Sequence, residues 1–263
     1  MSRTRCSALA ALAALAGAIP IALVTGCGGA NGRPILTVSA ASSLRLAFAD
    51  YARQFRAARV SFSFAGSDEL AAQIRQGVRP DVFASANEAL PDQLHAAGAL
   101  ETPVVFAANR LVIAVPARSH RVRSLADLAK PGVTIAAGSP SVPVGSYTRT
   151  VLARLAPAER KAVLANVRSE EPDVAGIVGK LSQGAIDAGF VYATDVRGAG
   201  GALAAIELPA ALRPTVAYGA GAIPGTRHAA QARAFIQGLL TGAGREALQR
   251  AGFQPPPRRP PGS

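Results

Sequence analysis

From Ile35 onward, short apolar runs alternate with amphipathic segments. Leu36-Thr37-Val38-Ser39-Ala40 reads as a strand, and the segment after it sets Leu44, Phe48, Tyr51 and Phe55 on one helical face. Val60 to Phe64 is strand-like again. Leu70, Ala71 and Ile74 mark a second helix that stops at Gly77. Asp81 to Ser85 predicts a third strand and Asn87 to Ala97 a third helix. The order βαβαβα is that of a largely parallel sheet with helices on its faces.

A second unit of the same kind follows. Arg110 to Val115 predicts a strand closed by Pro116, Ser124 to Leu128 a short capped helix, and Val133 to Ala137 a strand. The helix after Pro143 carries Tyr147, Val151 and Leu155. Val174, Ile177, Val178 and Leu181 form a full amphipathic stripe. Gly189 to Tyr192 is a strand, and Val216 to Ile223 a returning one. Two C-terminal helices close the chain, one with Phe235, Ile236, Leu239 and Leu240, the other from Arg245 to Arg250. No internal sequence repeat is visible.

The ends differ from this middle. Arg3 and Arg5 precede an uncharged apolar run from Ala8 to Val24, the pattern of a secretory signal. The run ends in Val24-Thr25-Gly26-Cys27, which resembles a bacterial lipobox. That resemblance implies cleavage before Cys27 and a lipid on its thiol, holding the protein to the outer face of the cytoplasmic membrane without a spanning helix. A plain secretory signal or an uncleaved anchor are the alternatives. Gly28 to Pro34 reads as a tether, and Pro255 to Ser263 as a disordered tail rich in Pro and Arg.

Composition narrows the chemistry. Of the two cysteines, Cys6 lies in the signal and Cys27 is committed to lipid, so the exported domain has no disulfide. His95, His120 and His228 are too widely spaced for a Cys/His metal site. The net charge of +12 comes almost wholly from arginine and favours anionic partners. The arginines are scattered, aromatics are scarce and the chain is exported, which together argue against nucleic acid.

No Gly-x-Ser-x-Gly elbow, Walker loop or His-Glu-x-x-His occurs. What recurs is a strand ending in Ser or Gly at the start of a helix: Ala41-Ser42-Ser43-Leu44, Ala65-Gly66-Ser67, Gly138 to Gly145, and Pro172-Asp173-Val174. Helix N-termini present unpaired N–H groups and partial positive charge, and in open α/β sheets these loops lie where ligands bind. Any one serine alone reads better as a helix cap. Four such termini in two lobes point to a shared anion site.

These loops carry a resemblance. Val38-Ser39-Ala40-Ala41-Ser42-Ser43-Leu44, Phe64-Ala65-Gly66-Ser67, Pro80 to Ala86, Asn109-Arg110-Leu111-Val112, Val142 to Tyr147, and Ala188 to Asp195 resemble, in order, the periplasmic molybdate-binding proteins of ABC importers. The resemblance implies a two-lobed periplasmic-binding-protein type II fold. Each lobe would be a mostly parallel sheet flanked by helices, with ligand in the interlobe cleft. On this reading 1–26 is the lipoprotein signal peptide, 27–34 the tether, 35–116 with 212–254 the first lobe, 117–211 the second, and 255–263 the tail. It implies molybdate or tungstate as ligand, with no cofactor and no covalent chemistry. The donors would be Ser43 and Ser67 in the first lobe, and in the second the amides of Val144 and Val174 and the hydroxyl of Tyr192; molybdenum would be held only as the oxyanion. An ABC permease and its ATPase would be the partners of a monomer.

Molybdate is a dianion with four acceptor oxygens and no donor, so a donor-only site suits it. Two departures from the family pattern stand out. Asp68-Glu69 replaces Ser-Thr, expected to point outward from the first helical turn or else to enter the cleft and accept from a protonated oxyanion such as phosphate. Val144 stands where alanine is common. Phosphate or sulfate binding on the same fold, a secreted α/β serine hydrolase, and a membrane-coupled sensor are the rival readings.

Overall fold

A computed structural model describes residues 33–257. The expected signal segment, Cys27, the tether up to residue 32 and the tail from Arg258 lie outside the described residues. The first half contains β1 (Ile35–Ala41), a 3-10 turn (Ser42–Leu44), α1 (Arg45–Gln54), β2 (Arg59–Ala65), α2 (Ser67–Arg75), β3 (Val82–Ser85), α3 (Ala89–Ala96) and β4 (Val104–Asn109). The second contains β5 (Leu111–Pro116), β6 (Ile135–Gly138), α4 (Pro143–Ala153), α5 (Pro157–Ala165), β7 (Val167–Glu171), α6 (Val174–Ser182), β8 (Ala188–Tyr192), α7 (Ala193–Gly198) and β9 (Leu203–Glu207). The chain then returns through β10 (Val216–Ala222), α8 (Ala229–Thr241) and α9 (Ala243–Ala251).

These strands make two five-stranded sheets of the same design, ordered β2-β1-β3-β10-β4 and β7-β6-β8-β5-β9. In the first, β1 is parallel to β2 and β3, while β10 is antiparallel to β3 and β4. In the second, β6 is parallel to β7 and β8, while β5 is antiparallel to β8 and β9. Each sheet therefore has four strands in one direction and one reversed, and the reversed strand is the one by which the chain enters from the other lobe. Since β5 lies in the second sheet, the crossing falls at Arg110 and not after Pro116 as expected from sequence. Pro116 closes β5 but ends no lobe.

The two lobes repeat each other without a sequence repeat, down to one side-chain pair. Asp81, just before β3, takes the backbone N–H and hydroxyl of Thr37 on one carboxylate oxygen, at 2.6 and 2.8 Å. Asp187, just before β8, does the same to Thr134, both at 2.8 Å. Each clamp fastens two neighbouring parallel strands at the end away from the strand C-termini.

The predicted helical faces are buried. Leu44, Phe48, Tyr51 and Phe55 are all in the core, where Phe48, Tyr51 and Phe55 pack on Phe235 of α8 with ring centroids 5.5, 4.7 and 5.4 Å apart. Val174, Ile177 and Leu181 are buried on α6, with Val178 half-buried beside them. Burying a side chain of this size contributes roughly 1.5–3 kcal/mol. No helix among the described residues is long and apolar enough to cross a membrane.

Candidate functional site

The strand C-termini of both lobes face each other, and the loops leaving them meet. The lobes touch closely at Gly66, where an added methyl would lie 2.4 Å from the Pro172 carbonyl oxygen of the other lobe. Beside this contact is a small cavity of about 20 Å³. Its walls include Ser43, Ser67, Val144, Val174 and Tyr192, so the structure brings all five expected residues together. Pockets for organic ligands run to about 300–1,000 Å³. This one suits a single compact ion.

Local sequence explains how each donor is presented. Gly66 caps α2, making Ser67 its first residue, and Ala86 N–H donates to Ser67 Oγ at 3.1 Å. With that lone pair used, the Ser67 proton is free for the cavity. Val142 caps α4 and Pro143 opens it, a position where the missing N–H costs nothing. The first bond of that helix is Ser146 N–H to Val142 O, so the Val144 N–H has no carbonyl of its own helix. A methyl on Gly145 would sit 1.9 Å from the Ser139 carbonyl oxygen, so only glycine lets α4 approach this loop. Asp173 caps α6 by accepting from Gly176 N–H at 3.0 Å, leaving the Val174 N–H uncommitted. Ser139 ties the two loops together, since its N–H and hydroxyl both donate to Glu171 O, at 2.9 and 3.2 Å.

Tyr192 ends β8 and caps α7, whose Asp195 accepts from the Tyr192 N–H at 2.9 Å. Its side chain is buried, and its hydroxyl has no hydrogen-bond partner among the described residues. Burial pushes the phenol well above its usual range, with Tyr218, Tyr147 and Asp195 adding to the effect. The group stays protonated and can donate. A buried hydroxyl without a partner costs about 1–3 kcal/mol, so its persistence in a cavity wall points to a ligand acceptor.

Asp68 is neither of the things expected of it. It does not line the cavity, and it does not simply point outward. It is half-buried, and its Oδ1 is the other buried side-chain atom without a partner among the described residues. That oxygen lies 2.9 Å from where a methyl on Gly66 would be, against the lobe contact. Asp173 lines the cavity, but its Oδ1 is committed to Gly176. The five expected donors thus face a space that one carboxylate, already partly committed, also borders.

The histidines lie elsewhere. His95 Nδ1 is 2.9 Å from Leu100 O, His228 Nδ1 is 3.2 Å from Asp81, and His120 is exposed. Ser43 has Tyr218 as its partner, at 3.0 Å, in place of a base. No group of three or more His, Cys, Asp or Glu fit to hold a metal ion occurs among the described residues. Sequence reasoning missed Tyr218. The signal was a tyrosine in the otherwise small, apolar, fully buried strand Val216–Ala222, where a hydroxyl must find a partner.

The chain matches the family model described as bacterial extracellular solute-binding protein over residues 36–254. It is 36% identical over 235 residues to Molybdate-binding protein ModA of Mycobacterium bovis, covering 87% of this chain and 88% of that protein. Among solved structures, the periplasmic molybdate-binding protein of Azotobacter vinelandii aligns with a TM-score of 0.76 at 23% identity, covering 84% of this chain and 100% of that one. The sulfate-binding protein SubI of Mycobacterium tuberculosis aligns with a TM-score of 0.74 at 18% identity, covering 84% and 87%. These two structures establish the fold, and the same frame serves both.

Proposed function

We propose, from the premise that this chain belongs to the bacterial extracellular solute-binding protein family, that it captures molybdate outside the cytoplasm and delivers it to an ABC importer. The observation that carries this reading is the Tyr192 hydroxyl, buried without a partner among the described residues in the wall of an ion-sized cavity whose lining brings several donors together. Ser43, Ser67 and Tyr192 donate through hydroxyls, and Val144 and Val174 through backbone N–H groups. Each gains a charge-assisted bond to an oxyanion oxygen. Hydrogen phosphate brings a proton that groups held as donors toward the anion do not accept, which costs it affinity. Sulfate is refused by size, because a smaller tetrahedron leaves donors out of reach. Tungstate matches molybdate in charge, shape and size and binds alongside it.

Binding follows from the two lobes. The anion meets the donors of one lobe, and closure about the strand crossings brings those of the other and excludes water. The closed form is what the permease, with its ATPase, recognises. All five donors come from one copy, which supports a monomer. Cys27 carries the lipid that keeps the protein at the membrane. A mature mass equal to the unmodified chain from Cys27 would refute the lipid alone.

The test is calorimetric titration with molybdate, tungstate, sulfate and phosphate in one buffer. Tight binding of the first two, with neither of the others detectable, is expected. A preference for sulfate or phosphate would keep the fold and change the cargo. No heat with any would overturn the oxyanion reading.

A further inference from the structure

Tyr218, on β10, does not line the cavity, yet its hydroxyl lies 3.0 Å from Ser43 Oγ. Behind it stands Asn109, the last residue of β4 before the chain crosses between lobes. The Arg110 N–H donates to Asn109 Oδ1 at 2.9 Å. A backbone N–H can only donate, so this contact fixes Oδ1 as the acceptor end of the amide and Nδ2 as the donor end. The two Nδ2 protons go to Thr194 Oγ1, at 2.8 Å, and to Tyr218 Oη, at 3.4 Å.

The direction of the next bond follows. Tyr218 Oη accepts from Asn109, so its own proton is directed to Ser43 Oγ. Ser43 accepts that bond and is left with one proton and the cavity in front of it. All three supporting residues are shut from solvent: Tyr218 is 0% exposed, Asn109 5% and Thr194 6%. Water therefore has little access to reverse the chain. Burial keeps the Tyr218 phenol protonated, aided by the nearby Asp195. The far end is anchored on the second lobe, through Thr194 of α7 and through the edge-on contact of Tyr218 with Tyr192, ring centroids 5.9 Å apart.

We infer that Asn109 and Tyr218 form a proton-orienting relay that holds Ser43 as an obligate donor and so favours fully deprotonated oxyanions over protonated ones. The inference rests on the oxyanion reading above. Asn109 and Tyr218 are positioning residues that touch no ligand. Without them Ser43 can turn and accept, which is what a protonated oxyanion needs.

The experiment compares wild type, Tyr218→Phe, Ser43→Ala and the double variant, each titrated with molybdate and, by competition, with phosphate. Tyr218→Phe is expected to weaken molybdate about tenfold and to narrow the molybdate-to-phosphate ratio, because only the bond direction at Ser43 is lost. In the Ser43→Ala background the same change is expected to add less than about twofold, the mark of a residue acting through Ser43. Tyr218→Phe equal to wild type, or a full effect persisting without Ser43, overturns the relay and leaves molybdate capture standing. Wild type that binds no oxyanion overturns both. If phosphate is undetectable throughout, the double-variant comparison decides alone. If Tyr218→Phe does not melt cooperatively, Asn109→Ala replaces it, since it frees Tyr218 to turn its proton aside and carries the same two expectations.

Discussion

Gly66 of the first lobe and Pro172 of the second approach so closely that a methyl on Gly66 would sit 2.4 Å from the Pro172 carbonyl oxygen. The contact, and not the backbone, demands glycine: φ is −60° and ψ 138°, ordinary values for any residue. Gly66→Ala is therefore expected to act in opposite directions on two measurements. Ligand-free stability holds or rises by up to about 1 kcal/mol, because alanine restricts the unfolded chain. Molybdate affinity falls at least about tenfold, because the lobes cannot meet. Unchanged affinity in a titration would mean that closure stops short of this contact.

Tyr192→Phe removes a buried hydroxyl that lacks a partner among the described residues. Affinity is expected to fall by roughly 1.5–3 kcal/mol, the worth of a hydrogen bond to a charged group, while ligand-free stability stays level or improves. Thermal melts with and without molybdate separate the two effects. A variant that loses stability in both melts would assign Tyr192 to packing.

Asp195 makes capture depend on pH. Burial raises its carboxyl to about 7, against the opposing hydrogen bond from the Tyr192 N–H and with repulsion from Asp173 adding to the rise. The folded value exceeds the ordinary 3.8. The associated stability is thus fully present below about pH 4 and is lost as pH rises through about 7. A dianion nearby disfavours the ionised carboxylate, so molybdate is expected to bind more tightly at about pH 6 than at about pH 8, with proton uptake. Asp195→Asn keeps an acceptor for the Tyr192 N–H and is expected to flatten that dependence. A wild-type affinity constant across this range would refute it.

The two Thr–Asp clamps invite a paired comparison. Asp187→Ala is expected to cost about 2 kcal/mol in urea denaturation, mainly from the loss of bonds to the Thr134 N–H and hydroxyl, its ion pair with exposed Arg121 contributing little. Asp81→Ala is expected to cost more, because Asp81 also accepts from Thr226 and meets His228. Burial pushes Asp81 upward, but the bonds from Thr226, Thr37 and His228 prevail and hold it below 3.8. Its contribution is present above about pH 4 and lost as pH falls below that. Equal costs at the two sites would show that the additional partners add nothing.

The sequence made the central strands and the long helices legible and hid the edges. β10 is a continuous buried run, β1 is buried from Val38 to Ala41, and α1 and α6 carry full stripes. β7 was not read, because at a sheet edge it exposes Arg168 and Glu170 and buries only Glu171. β9, the opposite edge, is half-exposed in the same way. β4 went unread because only Arg110 separates it from β5, with no turn signal between. The grouping of Ser43, Ser67, Val144, Val174 and Tyr192 was available through family resemblance. Helix starts alone could not choose among caps. Tyr218 shows in the sequence only as a tyrosine in a small, apolar strand, and neither it nor Asn109 shows what it bonds, for their partners Ser43 and Tyr218 lie 175 and 109 residues away.

The exchange of reversed strands between the sheets sets an order of assembly. All five strands of the second sheet lie within 111–207, whereas β3 in the first waits for β10, at 216–222, to cover its open edge. On a chain made from its N-terminus, the lobe that starts first is the last to be finished. Until then β3 offers unpaired backbone to whatever is near. A truncation between residues 208 and 215 would thus leave a second lobe with all its strands and a first lobe with an exposed, association-prone edge.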